Sequence, residues 1–383
     1  MSRERITVAD LELDPHPVLA RLRADAPVAW VPALHSWLVT GYDDAVAVLR
    51  DARTFTVDDP RFSTARVVGP SMLSLDGAEH AHHRGPFSRA FRSDTVHAGL
   101  TAFTQAETDR LVSAIEPRGE AELRRSVAGP LAVAVMARVL GLTGTEPGTI
   151  LAWYDEIVAA TTAQAAAPAA AQEPVGAFSQ LAGTLRQVIA VPSLLADAAG
   201  QLSEAETISN AAVLLFGGIE TTEGMITNAM LHLLAGPAQL ALTLGDPDLV
   251  PAAIEESLRL EPAAAVVDRY ATCDAGLGGA QVKAGDQVTV SITGANRDPA
   301  VFPDPDAYQV TRPNAGRHLA FAHGPHFCLG AHLARLEARI AVTAMLTRLP
   351  RLRLAQPAGD ARARGLVFRK PPELMVRWAP RVA

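Results

Sequence analysis

Cys328 lies in the run Phe321-Ala322-His323-Gly324-Pro325-His326-Phe327-Cys328-Leu329-Gly330, directly before an apolar-periodic stretch that reads as a helix. A thiolate is a strong, soft donor, and a helix N-terminus lowers the pKa of a thiol placed there, so this residue can bind a metal as the anion. Gly324 and Gly330 carry no Cβ and would let the backbone lie close against a flat partner. A lone cysteine is as a rule a small buried hydrophobe, so its context has to decide. The only other cysteine is Cys273. Usage this sparse fits a reducing compartment better than a disulfide scaffold.

A second set of chemistry-bearing residues lies upstream. Ser203-Glu204-Ala205-Glu206 has the form of a capping box, and the helical pattern it opens runs to about Leu234, before Gly236-Pro237. At 1.5 Å per residue that helix is roughly 48 Å long, enough to cross the molecule as its central helix. Gly217 and Gly218 interrupt its middle, each at a cost of about 1 kcal/mol against alanine. Close helix packing, or room for a guest, must compensate. Glu220 and Thr221 follow, an acid beside an alcohol, which suits the holding and handing over of protons; Thr222 stands next in line. Glu256-Ser257-Leu258-Arg259 alone would be an ordinary i, i+3 ion pair worth a few tenths of a kcal/mol. His80 and Arg84 stand one turn apart on one helix face. The adjacent His82 and His83 lack a carboxylate or cysteine at zinc-like spacing.

The elements that must position these groups are mainly helical. Asp14 to Ala24, Asp43 to Leu49, Leu100 to Ile115, Val127 to Leu142 and Thr149 to Ala163 read as helices, and Val28 to Val31 with Ser36 to Val39 as a hairpin. Between Val266 and Val290 short strands alternate with glycine turns. The fold class is therefore mainly α with a smaller β region (α+β). The alanine-rich tract Thr161 to Gln172 reads as a mobile cover between two helices. A 49% hydrophobic share over 383 residues, with no Gly/Ser linker, favours one large body over residues 1–383. The formal net charge of −7 leaves no basic footprint for nucleic acid. The charged N-terminus reads as neither a signal peptide nor a membrane anchor, so a cytoplasmic protein is expected.

Phe-x-x-Gly-x-His-x-Cys-x-Gly resembles the haem-binding signature of the cytochrome P450 family. The likeness extends from Asp14-Pro15 and Trp37-Leu38-Val39-Thr40-Gly41-Tyr42 to Met375-Val376-Arg377-Trp378, with His80/Arg84, Glu220/Thr221, Glu256/Arg259, Arg269 and Cys328 in the family's order. It implies the family's fold, with the long central helix crossing a haem b, iron protoporphyrin IX. Cys328 becomes the axial iron ligand. Phe321 lies against the ligand side, Gly330 and Gly217 beside the ring, and His80, Arg84, Arg269 and His326 near the propionates. Glu220 and Thr221 become the proton-delivering pair, opposite an electron-rich thiolate that favours O–O cleavage. Glu256, Arg259 and Arg312 become a buried support on the cysteine side. Ala322 stands where the family often has glycine, which is tolerable if its φ is negative.

The implied activity is a monooxygenase that uses O2 to hydroxylate or otherwise oxidise a small, largely apolar organic substrate. Electrons would come from a ferredoxin and an NAD(P)H-dependent ferredoxin reductase, with Arg84, Arg92, Arg335 and Arg339 as a basic docking patch on a monomeric enzyme. A peroxide-driven or atypical haem-thiolate oxidase, and a non-catalytic haem-binding sensor or carrier, are the alternatives. The pocket is expected to draw on Val67 and Val68 within residues 66–73, Leu214, Gly218, Ala264, Val266, Val267 and Phe368, together with the alanine-rich cover.

Overall fold

The computed structural model describes residues 6–142, 144–166, 176–190 and 193–379. Its helices are α1 (Val8–Leu13), α2 (His16–Asp25), α3 (Tyr42–Arg50), α4 (Ser63–Val68), α5 (Gly77–Ser88), α6 (Ser93–Ile115), α7 (Gly129–Leu140), α8 (Pro147–Ala166), α9 (Gly176–Ile189), α10 (Leu194–Ala199), α11 (Glu204–Ala235), α12 (Pro237–Gly245), α13 (Val250–Leu260), α14 (Ile292–Ala295) and α15 (Ala331–Arg348). The strands are β1 (Val28–Val31), β2 (Ser36–Val39), β3 (Phe55–Thr56), β4 (Glu120–Glu122), β5 (Val266–Ala271), β6 (Ala275–Leu277), β7 (Ala280–Val282), β8 (Gln287–Ser291), β9 (Arg353–Leu354) and β10 (Met375–Arg377).

Strands β1 and β2 form the expected hairpin, with Val28 opposite Val39. They continue through a parallel β2/β8 pair into a five-stranded sheet of order β1-β2-β8-β5-β3. A small second core lies under this sheet, centred on Val39, Val48, Val288 and Val290. Two further sheets, β4-β10-β9 and the β6-β7 hairpin, are small.

The main core gathers around α11. Ser203 accepts a hydrogen bond from the Glu206 N–H at 3.3 Å, and the Glu206 carboxylate accepts one from the Ser203 N–H at 2.8 Å, so the capping box is complete. Residues are buried on every side of α11, which is the pattern of a helix inside a protein rather than on its surface. It packs on α7, α13 and α15, and each large side chain buried there contributes about 1.5–3 kcal/mol. Pro237 then ends it, and α12 leaves at 105°. No single helix among the described residues is long and apolar enough to cross a membrane.

Two element boundaries differ from the pattern. Helix α6 begins at Ser93 rather than Leu100, its mostly polar first turns adding Val96 to the buried face one turn before Leu100. A π-helical turn, Arg124–Ala128, takes up the first two residues of the helix expected from Val127, and α7 begins at Gly129. The alanine-rich tract enters the end of α8; the remainder of that expected cover, residues 167–172, lies outside the described residues.

Candidate active site

The cysteine loop is held by backbone contacts. The Cys328 N–H donates to the Phe321 carbonyl at 2.9 Å, and Arg84 on α5 reaches across to the Phe327 carbonyl at 2.7 Å. Gly324 has φ +71°, and a Cβ there would lie 2.5 Å from the Leu49 carbonyl oxygen. This glycine lets the loop pass α3, rather than admitting a flat partner as expected. Gly330 has open space where a Cβ would stand and does face the cavity. Ala322 has φ +56°, so the negative φ under which alanine would be tolerated there is not met. The chain reverses there, its N–H bonded to the Leu319 carbonyl at 2.8 Å, and a non-glycine residue pays about 1–2 kcal/mol for that conformation.

Burial pushes the Cys328 thiol pKa up, and the Gly330 N–H and the charges of Arg84 and Arg335 recover only part of the shift. The lowering expected from the helix start is therefore outweighed. A ligand thiol is deprotonated as the metal binds, so the shift does not argue against ligation.

Cys328 opens onto a cavity with about 250 Å³ of room for the centres of water molecules. Phe321, Cys328 and Gly330 line it from the loop, and Leu214, Gly217, Gly218 and Thr221 from α11. Met72, Phe91, Ala264 and Val267 contribute apolar wall between them. The two glycines have different roles. A Cβ on Gly218 would sit 2.3 Å from the Met136 sulfur, whereas one on Gly217 would meet nothing within 4 Å. Gly218 admits α7, and Gly217 widens the cavity.

Thr221 donates its hydroxyl hydrogen to the Gly217 carbonyl at 2.6 Å, so its oxygen remains free to accept a hydrogen bond. Glu220 is not on the cavity wall. One residue is about 100° of helical rotation, and that turn places its carboxylate 2.8 Å from Lys370 Nζ. Sequence neighbours thus serve different faces of α11.

A group of basic side chains collects beside the loop. His326 contacts Asp76 through Nε2 at 2.8 Å and lies under the His80 ring at 4.4 Å between centroids. Asp76 also accepts from the Thr56 hydroxyl and the Val57 N–H. Burial raises its pKa, but these hydrogen bonds outweigh burial and hold it below the usual carboxylate value. His80 is buried, and its Nε2 has no partner. Burial first, then the neighbouring His326 and Arg84, lower its pKa to about 4. Arg269 is buried as well, with Nη1 on the Asp268 carbonyl at 2.7 Å. These features fit a haem: a thiol in the cavity wall, space beside Gly217 and Gly330, and an unpartnered imidazole nitrogen and a buried guanidinium for anionic propionates.

Glu256 is the centre of the support. Arg259 binds it through two nitrogens at 2.8 Å each, and Arg312 Nε reaches its oxygens at 2.9 and 3.1 Å. The remaining guanidinium hydrogens go to the carbonyls of Asn296, Pro305 and Ala307 from Arg259, and of Pro303, Asp304 and Ala307 from Arg312.

Several expected pocket residues point elsewhere. Val68 is buried in the main core with Val67 packed against that core, because α4 turns its apolar face inward. Val266 borders a separate small pocket with Leu366. Phe368 packs edge-on against Phe216 at 5.4 Å between ring centroids. In the expected docking patch, Arg335 is bound to Glu255 at 2.6 and 2.9 Å, which neutralises much of its charge, and the exposed Arg92 lies 3.8 Å from Asp94.

Three contributors were not singled out from sequence. Glu337 lines the cavity from α15, buried, with Oε2 unpartnered; burial pushes its pKa well above the usual value. Its signal was a charged residue on the apolar stripe that carries Leu333 and Ala334. Asp76 and Lys370 act on partners far away in sequence, and no local pattern marks them.

Residues 244–362 match the Cytochrome P450 family model. Cytochrome P450 monooxygenase PikC of Streptomyces venezuelae is 37% identical over 92% of this chain and 88% of its own length. Nocardicin C N-oxygenase of Nocardia uniformis subsp. tsuyamanensis is 37% identical over 96% of each chain. The crystal structure of CalO2 superposes with a TM-score of 0.88 at 30% identity, covering 97% of this chain and 98% of that one. Likeness of this extent, in sequence and fold together, identifies the protein: the chain belongs to the cytochrome P450 family and is one of its monooxygenases.

Proposed function

We propose that the protein binds haem b through Cys328 and oxidises a small, uncharged, largely apolar organic molecule, most simply by hydroxylation. One observation carries this reading: Cys328 and Thr221 face the same cavity, whose wall is otherwise mostly apolar, with Arg84, Thr222, His326 and Glu337 as its further polar members. His80, Arg84, Arg269 and His326 would hold the propionates. When bound, a haem-thiolate supplies the binding and reductive cleavage of O2.

The chain's own groups do the rest. Apolar walls exclude water and seat the substrate by shape, with few polar groups to orient it. The Thr221 hydroxyl accepts and passes on a hydrogen bond at the cavity wall, and Glu220 supplies protons from behind it. Relatives include 20-oxo-5-O-mycaminosyltylactone 23-monooxygenase of Streptomyces fradiae and mycinamicin IV hydroxylase/epoxidase of Micromonospora griseorubida, which supports hydroxylation as the type of reaction. Electrons from a ferredoxin and its NAD(P)H-dependent reductase, a single catalytic domain, and a monomer in the cytoplasm complete the proposal.

The test is spectroscopic and then catalytic. The reduced, carbonyl-bound protein should show the long-wavelength thiolate band, and Cys328→Ser should lose it. A panel of uncharged ligands should produce low-to-high-spin shifts that charged analogues do not. Turnover with NAD(P)H, ferredoxin and reductase should yield product. A thiolate band that survives Cys328→Ser would refute the ligand assignment. Haem binding without turnover of any ligand that shifts the spin state would favour a carrier.

A further inference from the structure

We propose that Asn210 is a positioning residue for the cavity: its amide pins the loop after α4 to α11, and His83 locks that amide in the orientation the loop needs. The assignment rests on the reading of this cavity as the substrate site. Met72 and Leu73, in that loop, form part of the cavity wall. Asn210 is fully buried on α11, about two turns before Gly217.

The loop is closed against α11 by two neighbouring side chains. Gly69 has φ +89°, and a Cβ there would lie 2.9 Å from the Ser209 hydroxyl oxygen, so glycine lets the chain pass close to the helix. The Ser209 hydroxyl donates to the Val68 carbonyl at 2.6 Å. Next along the helix, Asn210 Oδ1 accepts the Met72 N–H at 2.8 Å. Ser71 and Ser74 bond to each other, the Ser74 N–H to the Ser71 carbonyl at 3.0 Å and the Ser71 N–H to the Ser74 hydroxyl at 3.1 Å. The turn thus closes on itself, while the Met72 N–H depends on Asn210.

The amide is not free to turn over. Its nitrogen donates one hydrogen to the Glu206 carbonyl at 2.8 Å and the other to His83 Nδ1 at 2.9 Å. The Met72 N–H can only donate and the Glu206 carbonyl can only accept, so the amide oxygen and nitrogen cannot exchange places without losing both bonds. His83 Nδ1 must therefore accept, which puts the imidazole proton on Nε2, 3.6 Å from the Glu206 carboxylate. Protonation of His83 would set a second N–H against that of Asn210. The amide then either loses His83 or turns over and releases Met72, and in both cases the loop is held less firmly. Burial keeps His83 below the ordinary histidine pKa; Glu206 of α11 and Glu79 of α5 oppose this, and His82 acts in the same direction as burial. Helix α10 also packs on α5, and its one charged residue, Asp197, is exposed. The anchor is therefore complete at neutral pH and weakens only below about 6.5, the ordinary histidine value.

The experiment compares the haem-loaded wild type with Asn210→Leu and with His83→Gln, which keeps an acceptor for the amide but cannot titrate. Two quantities are read: hydrogen exchange at the Met72 amide, and the affinity of the haem iron for imidazole and for the bulkier phenylimidazole, followed by the Soret shift. At neutral pH, Asn210→Leu should exchange Met72 about tenfold faster and bind phenylimidazole about threefold more weakly, with imidazole, too small to need the wall, changed less than about twofold. His83→Gln should match the wild type there. On lowering the pH to about 5.5, the wild type should gain Met72 exchange and lose phenylimidazole affinity relative to His83→Gln. Unchanged Met72 exchange in Asn210→Leu overturns the anchor, and identical pH dependence in the wild type and His83→Gln overturns the lock. The second comparison stands even if Asn210→Leu fails to fold. Faster exchange with unchanged phenylimidazole affinity would overturn the positioning role. Absence of a Soret shift with either azole in the wild type would instead sink the reading of the cavity, while Met72 exchange would still decide the anchor.

Discussion

Glu256 and Glu337 are both buried glutamates on helices that pack against α11, α13 and α15 respectively, and their surroundings are opposite. Glu256 has two guanidinium groups on its two oxygens and takes the Gln309 N–H as well. Among the described residues Glu337 has no cation beside it and leaves Oε2 unpartnered at the cavity wall. The same contrast separates their regions. The Glu256 network spends its hydrogen-bonding capacity internally, whereas Glu337 Oε2 at the cavity wall and His80 Nε2 beside the cysteine loop are left unspent among the described residues. Buried polar groups are normally satisfied, so the saturated Glu256 network reads as scaffold, while an unpartnered carboxylate oxygen on a cavity wall keeps capacity for a guest.

The largest effect should come from breaking the saturated side. Glu256→Gln leaves Arg259 and Arg312 buried without a counter-charge, and urea unfolding should show a loss of about 3–5 kcal/mol. A loss below about 1 kcal/mol would mean the network is not the scaffold its geometry describes.

Glu337→Gln tests the unsaturated side, and here the sign depends on pH. Burial raises the Glu337 pKa in the folded chain, so above the unfolded value, near 4.3 for a glutamate, the unfolded chain releases a proton that the folded chain keeps. Wild-type stability therefore falls as pH rises through that window, by up to about 1.4 kcal/mol per unit, until the folded pKa is reached. Glu337→Gln should remove that slope and become the more stable form toward pH 8. Parallel stability profiles for the two proteins would show that Glu337 has a partner after all.

The α11 glycines offer the same contrast on a smaller scale. Gly218→Ala should cost about 1–3 kcal/mol, because Met136 must move. Gly217→Ala should gain up to about 1 kcal/mol of helix propensity while narrowing the cavity. Equal thermal shifts for the pair would erase the distinction between a packed wall and an open one. The smallest change is expected in the loop, where Ala322→Gly should stabilise by about 1 kcal/mol by relieving the left-handed backbone.

Much of this was legible in sequence because it depends on local rules. The capping box at Ser203 and Glu206, the β1 and β2 hairpin, and the helix after Cys328 follow from spacing, since each is built from contacts within a few residues. The cysteine loop identified a family because the chemistry needs those residue types in one short run. The Ala322 backbone was misjudged because φ there is set by the turn the whole loop must make past α3, not by alanine's own preference. The pocket expectation at Val266 failed for a related reason: residues of β5 alternate faces, so Val267 meets the cavity and Val266 borders a separate small pocket.

By itself, then, the sequence determined the class of the fold, and it singled out a thiol suited to iron and an acid beside an alcohol at Glu220 and Thr221, all from residue type and near spacing. Tertiary structure alone decided which way each group is turned. It placed Thr221 on the cavity and Glu220 against Lys370, 150 positions away in the chain; it put Asp76 under His326 and left Glu337 uncompensated. Charge compensation in a low-dielectric interior depends on which side chains the fold brings within a few ångströms, and that proximity is not written in any local stretch of sequence.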